Sequence, residues 1–235
     1  MKTFIPNFIT LLNLLSGCIA VIYAVNGDMK LTALFVCLGI LFDFLDGFIA
    51  RKLRVQSVLG VQLDSLADLV TSGVVPGLVL YYLFSLATQL TWDTIGIVPY
   101  FGLLVTLASA YRLAKFNVSD TQSDFFIGLP VPANTLWIIA LPLILEYQSN
   151  DVVQDIILNP WFLVLFTLIS SYLLNAPIKL ISLKFKNWDL NDNAYRYILI
   201  IFSLIVILFF RFVGIPIAII GYLVLSLISS KKLNV

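Results

Sequence analysis

Four aspartates carry the chemistry available to this chain. Asp43 and Asp46 stand three residues apart, and Asp64 and Asp68 stand four apart. On helices, either spacing puts both carboxylates on one face. The sequence around them is oily enough for a lipid bilayer, where ionisable groups are costly and mark sites of function. The polar connection from Lys52 to Ser57 folds the two stretches back antiparallel, so that four carboxylates face one another. Such a cluster cannot keep four bare charges; it binds protons or divalent cations. The chain has no His, which removes the commonest transition-metal ligand and the usual general base. Acid–base work falls to carboxylates. Cys18 and Cys37 each sit within an apolar run and read as small buried hydrophobes.

The residues alone leave three readings of the cluster. It is a proton or cation pathway of an ion-coupled transporter, a structural network pairing acids with Arg51 and Arg112, or a divalent-metal site that handles phosphate. Arg51 can neutralise one or two acids, not four, which weighs against the structural network. A transporter calls for charges at mid-membrane, broken helices and pseudo-symmetric halves; here the acids gather at one end of two helices beside a basic loop. Carboxylates without His or Cys suit Mg²⁺, Mn²⁺ or Ca²⁺, and two such ions leave positions for phosphate oxygens. Gly47 and Ala50, beside the Asp43/Asp46 face, let a bulky ligand approach the backbone or let helices pack closely. Arg51 is placed to grip a phosphate.

The elements that position these groups are membrane helices. Hydrophobic residues make up 60% of the 235-residue chain and charged residues only 11%, against roughly a quarter charged in soluble domains; mean hydropathy is +1.02. The fold class is all-α integral membrane. About eight spans are expected, near residues 8–25, 31–52, 59–87, 95–113, 130–145, 161–174, 194–210 and 215–229. Pro76 is expected to kink the third. With the N-terminus inside, every one of the 14 basic residues except Lys30 and Arg211 falls on the inner side, as the positive-inside rule requires. The acidic cluster then faces the cytoplasm, at the cytoplasmic membrane. The net charge of +1 says nothing about nucleic acid, but no basic block is long enough to bind it, so no nucleic-acid partner is expected. No linker or repeat divides the chain, so residues 1–235 read as a single transmembrane catalytic domain.

The pattern Asp43-x2-Asp46-Gly47-x2-Ala50-Arg51-x8-Gly60-x3-Asp64-x3-Asp68 resembles the signature of the CDP-alcohol phosphotransferase family, with every fixed position filled. That resemblance implies a six-helix core, here with two additional C-terminal helices. It implies transfer of a phosphoalcohol group from a CDP-linked donor to an acceptor hydroxyl, with release of CMP. Asp43, Asp46, Asp64 and Asp68 would hold one or two divalent ions, Mg²⁺ or Mn²⁺ with Ca²⁺ as a stand-in in crystals, and Asp68 would be the general base. Gly47, Ala50, Arg51 and Gly60 would line the CDP site, and a homodimer is expected by analogy.

Other stretches are similar to the membrane-embedded phosphatidylserine synthase branch of that family. They are Ile5-Pro6-Asn7-x2-Thr10-x2-Asn13-x3-Gly17, the run from Asp64 to Pro76, Arg112-Leu-Ala-Lys115-Phe-Asn117, and Phe126-Ile-Gly128-Leu-Pro130-Val-Pro132-Ala133. The donor is then expected to be CDP-diacylglycerol, its chains among membrane lipids, and the acceptor L-serine. Asn7 and Thr10 would contact the nucleotide or cap the first helix. Arg112, Lys115 and Asn117 would hold serine's carboxylate or anchor a helix at the interface; Lys at 115 replaces the branch's usual Arg and gives up bidentate geometry. Glycerol-3-phosphate or inositol phosphate is the rival acceptor, and each calls for a denser basic pocket.

Overall fold

The computed structural model describes residues 4–55, 57–91, 96–118, 125–181 and 189–232. Lys2, Lys184 and Lys186, which entered the charge reading, lie outside the described residues.

Helix α1 (Phe4–Val25) starts four residues before the first expected span, because Pro6 suits a helix's opening turn. Its buried positions Pro6, Thr10, Asn13, Gly17, Ala20 and Ala24 recur every three or four residues, which makes one inward stripe. Gly27, at φ +78°, turns the chain, and Asp28 caps α2 (Met29–Leu53) by accepting from the Leu31 amide at 3.0 Å. Arg54, in the left-handed region at φ 55°, closes α2 with its amide on the Ala50 and Arg51 carbonyls. Ser57 then caps α3 (Val58–Asp68), accepting from the Gly60 amide at 3.0 Å.

Beyond Asp68 the helix widens into a π-helical segment, Leu69–Val74, before α4 (Val75–Thr91). A kink was expected at Pro76; the structure has instead this widened turn just before it, inside one continuous span, Val58–Gln89. Pro76 has no amide hydrogen to donate backwards, so carbonyls in the preceding turn lose partners. Side chains from other helices replace them: Thr135 donates to the Ser72 carbonyl at 2.8 Å and Thr106 to the Gly73 carbonyl at 2.9 Å. Neighbouring hydroxyls of this kind are what lets a membrane helix tolerate a break.

A 3-10 turn (Val98–Leu103) leads into α5 (Leu104–Val118). Helix α6 (Val131–Tyr147) is buried almost all round, from Trp137 to Ile144 without interruption, and is the centre of the molecule. It packs against α2, α4, α8 and α10. Helices α7 (Asp151–Ile157) and α8 (Pro160–Asn175) meet at a bend of 58°. Helices α9 (Leu190–Phe210) and α10 (Gly214–Lys232) flank a 3-10 turn, Arg211–Val213. They fold back on each other, since a Cβ placed on Gly221 would lie 2.3 Å from the Phe202 ring.

One element was not expected from the sequence. Strands β1 (Phe125–Ile127) and β2 (Lys179–Ile181) form an antiparallel ribbon, with Phe126 opposite Leu180. Helix α10 holds it: Ser226 accepts from the Ile181 amide at 3.2 Å and Tyr222 donates to the Ile181 carbonyl at 3.0 Å.

Among the described residues, four stretches are long and apolar enough to cross a membrane, Phe4–Val25, Met29–Leu53, Val58–Gln89 and Asn193–Ile228, and the bent pair α7–α8 makes a fifth if it is one span. This is fewer than the eight spans expected, although Asn193–Ile228 contains the α9–α10 reversal and α6 is apolar but only 17 residues long. Lys30 pairs with Glu146 at 2.8 Å, and Gln148 accepts from the Phe212 and Val213 amides. These contacts gather the start of α2, the end of α6 and the α9–α10 turn at one end of the bundle.

The 3-10 turn before α5 depends on a close approach at Gly102, where a Cβ would sit 2.6 Å from the Tyr81 backbone nitrogen. Gly102→Ala is expected to destabilise the fold by about 1–3 kcal/mol through overpacking. An unchanged unfolding midpoint in detergent would contradict that packing.

Candidate active site

The site forms where the first half of α1, the end of α2 and the second half of α3 meet. Backbones of α2 and α3 barely approach each other, and α1 packs against both. The antiparallel pairing expected of the two motif helices is thus mediated by α1, which leaves a cleft for side chains.

Asp43, Asp64 and Asp68 reach into that cleft. One carboxylate oxygen of each lies within 4.8 Å of the others, and all three residues are half-buried. Asp64 Oδ1 is buried and has no hydrogen-bonding partner among the described residues, a costly state for a carboxylate oxygen unless something supplies positive charge. Three converging oxygens, with no nitrogen or sulfur donor among them, fit a hard divalent cation. Asp46 stands outside this triad. It is 5% exposed and accepts a hydrogen bond from the Thr10 hydroxyl, which also donates to the Pro6 carbonyl at 3.1 Å.

The other expected residues divide by location. Asn7 lies beside Gly60, where a Cβ would meet Asn7 Oδ1 at 3.2 Å and Ser57 Oγ at 3.1 Å. The Arg51 guanidinium folds over Gly47, with Nη1 3.4 Å from the Cβ position there. Ala50 is half-buried on α2 and Arg51 is exposed. Thus Asn7 and Thr10 lie on α1, Gly47, Ala50 and Arg51 on α2, and Gly60 on α3, the three helices that meet at the site.

Arg112 is placed differently. Its guanidinium donates to the Ile127 carbonyl at 2.8 Å, to the Gly128 carbonyl at 3.2 Å and to the Leu174 carbonyl. It therefore joins α5 to the ribbon and to the end of α8, and its fork is already engaged by backbone. Gly128, at φ +74°, is packed so closely there that a Cβ would meet Arg112 Nη1 and the Leu174 oxygen, each at 2.6 Å. Asn117 bridges α5 to α3, accepting from Ser65 at 3.1 Å and donating to Gln62 at 3.3 Å. Lys115 is exposed and lines a shallow surface groove with Tyr111, Ala114 and Val118.

Two further residues join the cluster. Asn13 donates through Nδ2 to Asp68 Oδ1 at 3.1 Å, and the Thr71 hydroxyl donates to Asn13 Oδ1 at 2.8 Å. Asn13 lies one turn beyond Thr10 on the buried stripe of α1, a spacing visible in the sequence.

A family model described as CDP-alcohol phosphatidyltransferase matches residues 3–219. The chain belongs to this family. It is a membrane transferase of phospholipid biosynthesis, and the family uses divalent cations, in keeping with the aspartate triad. It is similar to the CDP-diacylglycerol–serine O-phosphatidyltransferase of Bacillus subtilis, at 34% identity over 75% of this chain and 89% of the relative. The enzyme of that name from Methanocaldococcus jannaschii is 32% identical over 65% of this chain and 68% of its own. The archaetidylserine synthase of Methanothermobacter thermautotrophicus is 32% identical over 54% of this chain and 53% of its own. The family match ends just before Tyr222 and Ser226, the α10 residues that hold the ribbon.

Arg112→Ala is expected to leave three carbonyls without their donor. A buried acceptor without a partner costs about 1–3 kcal/mol, so the unfolding midpoint should fall clearly. Wild-type thermal stability in this variant would show that the clamp is not structural.

Proposed function

We propose that this enzyme transfers the phosphatidyl group of CDP-diacylglycerol to the hydroxyl of L-serine, giving phosphatidylserine and CMP. The observation that carries the reading is the convergence of Asp43, Asp64 and Asp68 in a chain of this family. The relatives' names direct the choice of acceptor. A bound Mg²⁺ or Mn²⁺ would neutralise the donor's pyrophosphate and the charge that develops on departing CMP. Asp43, Asp64 and Asp68 are its proposed ligands from this chain, and Asp46, held by Thr10, completes the acidic wall.

Asp68 is the proposed general base. It takes the proton of the serine hydroxyl as that oxygen bonds to the phosphorus bearing the diacylglycerol, and the bond from phosphorus to CMP breaks. Asn7, Thr10, Gly47, Ala50, Arg51 and Gly60 form the proposed CDP site, with Arg51 free to swing from Gly47 onto a phosphate. For serine, Lys115 and Asn117 stand at the correct end of α5, while Arg112 acts through the backbone it holds. The proposal places residues 1–235 in a single catalytic domain with eight passes, working as a homodimer in the cytoplasmic membrane. Its site faces the cytoplasm, where serine is soluble.

Purified protein in lipid nanodiscs with CDP-diacylglycerol, Mn²⁺ and each candidate alcohol tests the reading by CMP release. Release with serine is expected, together with its loss on chelation and recovery on adding Mn²⁺. Release with glycerol-3-phosphate or inositol phosphate but not serine would overturn the acceptor assignment. Asp68→Asn should lose about 10²–10⁴-fold in turnover, the usual worth of a general base. Full activity in that variant would remove Asp68 from the role.

Gly47→Leu should displace Arg51 and obstruct the nucleotide while leaving the fold intact. Calorimetry should then show at least a tenfold loss of CDP affinity, whereas wild-type affinity would refute a close approach at Gly47.

A further inference from the structure

We infer that Asn13 is a positioning residue for Asp68, and that Thr71 fixes its orientation; the inference rests on Asp68 serving as base and metal ligand. Three observations carry it. First, Asn13 and Thr71 are both completely buried, and their polar groups run in one direction. The Thr71 hydroxyl donates to Asn13 Oδ1 at 2.8 Å, and Asn13 Nδ2 donates to Asp68 Oδ1 at 3.1 Å. The amide's donor end faces the carboxylate, and the Thr71 hydroxyl lies at its acceptor end, within 3.2 Å of the Asn13 backbone carbonyl as well.

Second, the helices are shaped around this pair. A Cβ on Gly17 would sit 2.3 Å from Thr71 Oγ1, and one on Gly39 would sit 2.6 Å from Thr71 Cγ2 and 2.9 Å from Asn13 Oδ1. Gly17 on α1 and Gly39 on α2 thus leave the space that the pair fills.

Third, Thr71 is within the π-helical segment that begins directly after Asp68. In a regular helix Asp68 and Thr71 project from nearly one face, three residues apart. Thr71 in this segment and Asp68 just before it both reach Asn13 on α1. A π-bulge beside a reactive group is a common way to re-aim a side chain.

The consequence is a division of labour within one carboxylate. Oδ1 is held by Asn13, which leaves Oδ2 to face the cleft. Partners behind a metal-binding carboxylate commonly change affinity or activity by 10–100-fold when removed. Asn13 touches no substrate in this account and works only through Asp68.

The test compares Asn13→Ala, Thr71→Val, Thr71→Ser and Asp68→Asn in nanodiscs. It reads Mn²⁺ affinity from the electron paramagnetic resonance of free ion, and kcat and KM for CDP-diacylglycerol at saturating Mn²⁺. Asn13→Ala and Thr71→Val should weaken Mn²⁺ by roughly three- to tenfold and lower kcat by about tenfold or more. KM should stay within about twofold of wild type, and Thr71→Ser should restore most of the loss. Wild-type Mn²⁺ affinity and kcat in Thr71→Val and Asn13→Ala, with Asp68→Asn inactive, would overturn the positioning role and leave Asp68 as base. So would a Thr71→Ser variant no better than Thr71→Val, since packing alone would then explain the defect. Full turnover in Asp68→Asn would overturn the base assignment, and the positioning role with it.

Discussion

The constraint behind this structure is the mutual repulsion of carboxylates in a poorly hydrated place. Two like charges about 4 Å apart cost about 4 kcal/mol at an effective dielectric near 20. Asp43, Asp64 and Asp68 bring oxygens within 4.8 Å of one another, and no Lys or Arg forms a salt bridge to them among the described residues. A fold evolves such an arrangement only where something else supplies the positive charge. This family uses divalent cations, in keeping with such a cluster.

Much of the surrounding architecture holds the acids apart from their own helices and close to each other. Helix α1 wedges between α2 and α3, offering Thr10 to Asp46 and Asn13 to Asp68. Thr71, in the π-helical segment, donates to Asn13, and carbonyls of that segment accept from Thr106 and Thr135. The irregularity that shapes the site is thereby satisfied inside the bundle, as membrane burial demands. On the other side of α5, Arg112 ties the ribbon and α8 together, and α10 secures the ribbon through Tyr222 and Ser226.

The site was largely legible in the sequence because helical spacing maps directly onto a face. Asp43, Asp64 and Asp68 meet, and Asn7, Thr10, Gly47, Ala50, Arg51 and Gly60 lie on the three helices that form the site. Asp46 shows the limit of that logic: its spacing gives it the right face, but its hydrogen bond from Thr10 on another helix is not readable from spacing. Pro76 announced a distortion, yet the widened turn depends on hydroxyls from α5 and α6. Arg112 looked like a substrate cation, and the carbonyls it holds come from residues 15 and more positions away. The ribbon was hidden for a similar reason, since its two strands are short and distant in sequence. Contacts between distant segments decide all four, and periodicity carries no information about them.

Diffraction at the manganese absorption edge, from crystals grown with Mn²⁺ and CDP, tests the central claim most directly. The account predicts an anomalous peak about 2–2.5 Å from oxygens of Asp43, Asp64 and Asp68, with the pyrophosphate on its open side. A Mn²⁺ peak away from these carboxylates, or bound CDP with none beside them, would contradict it.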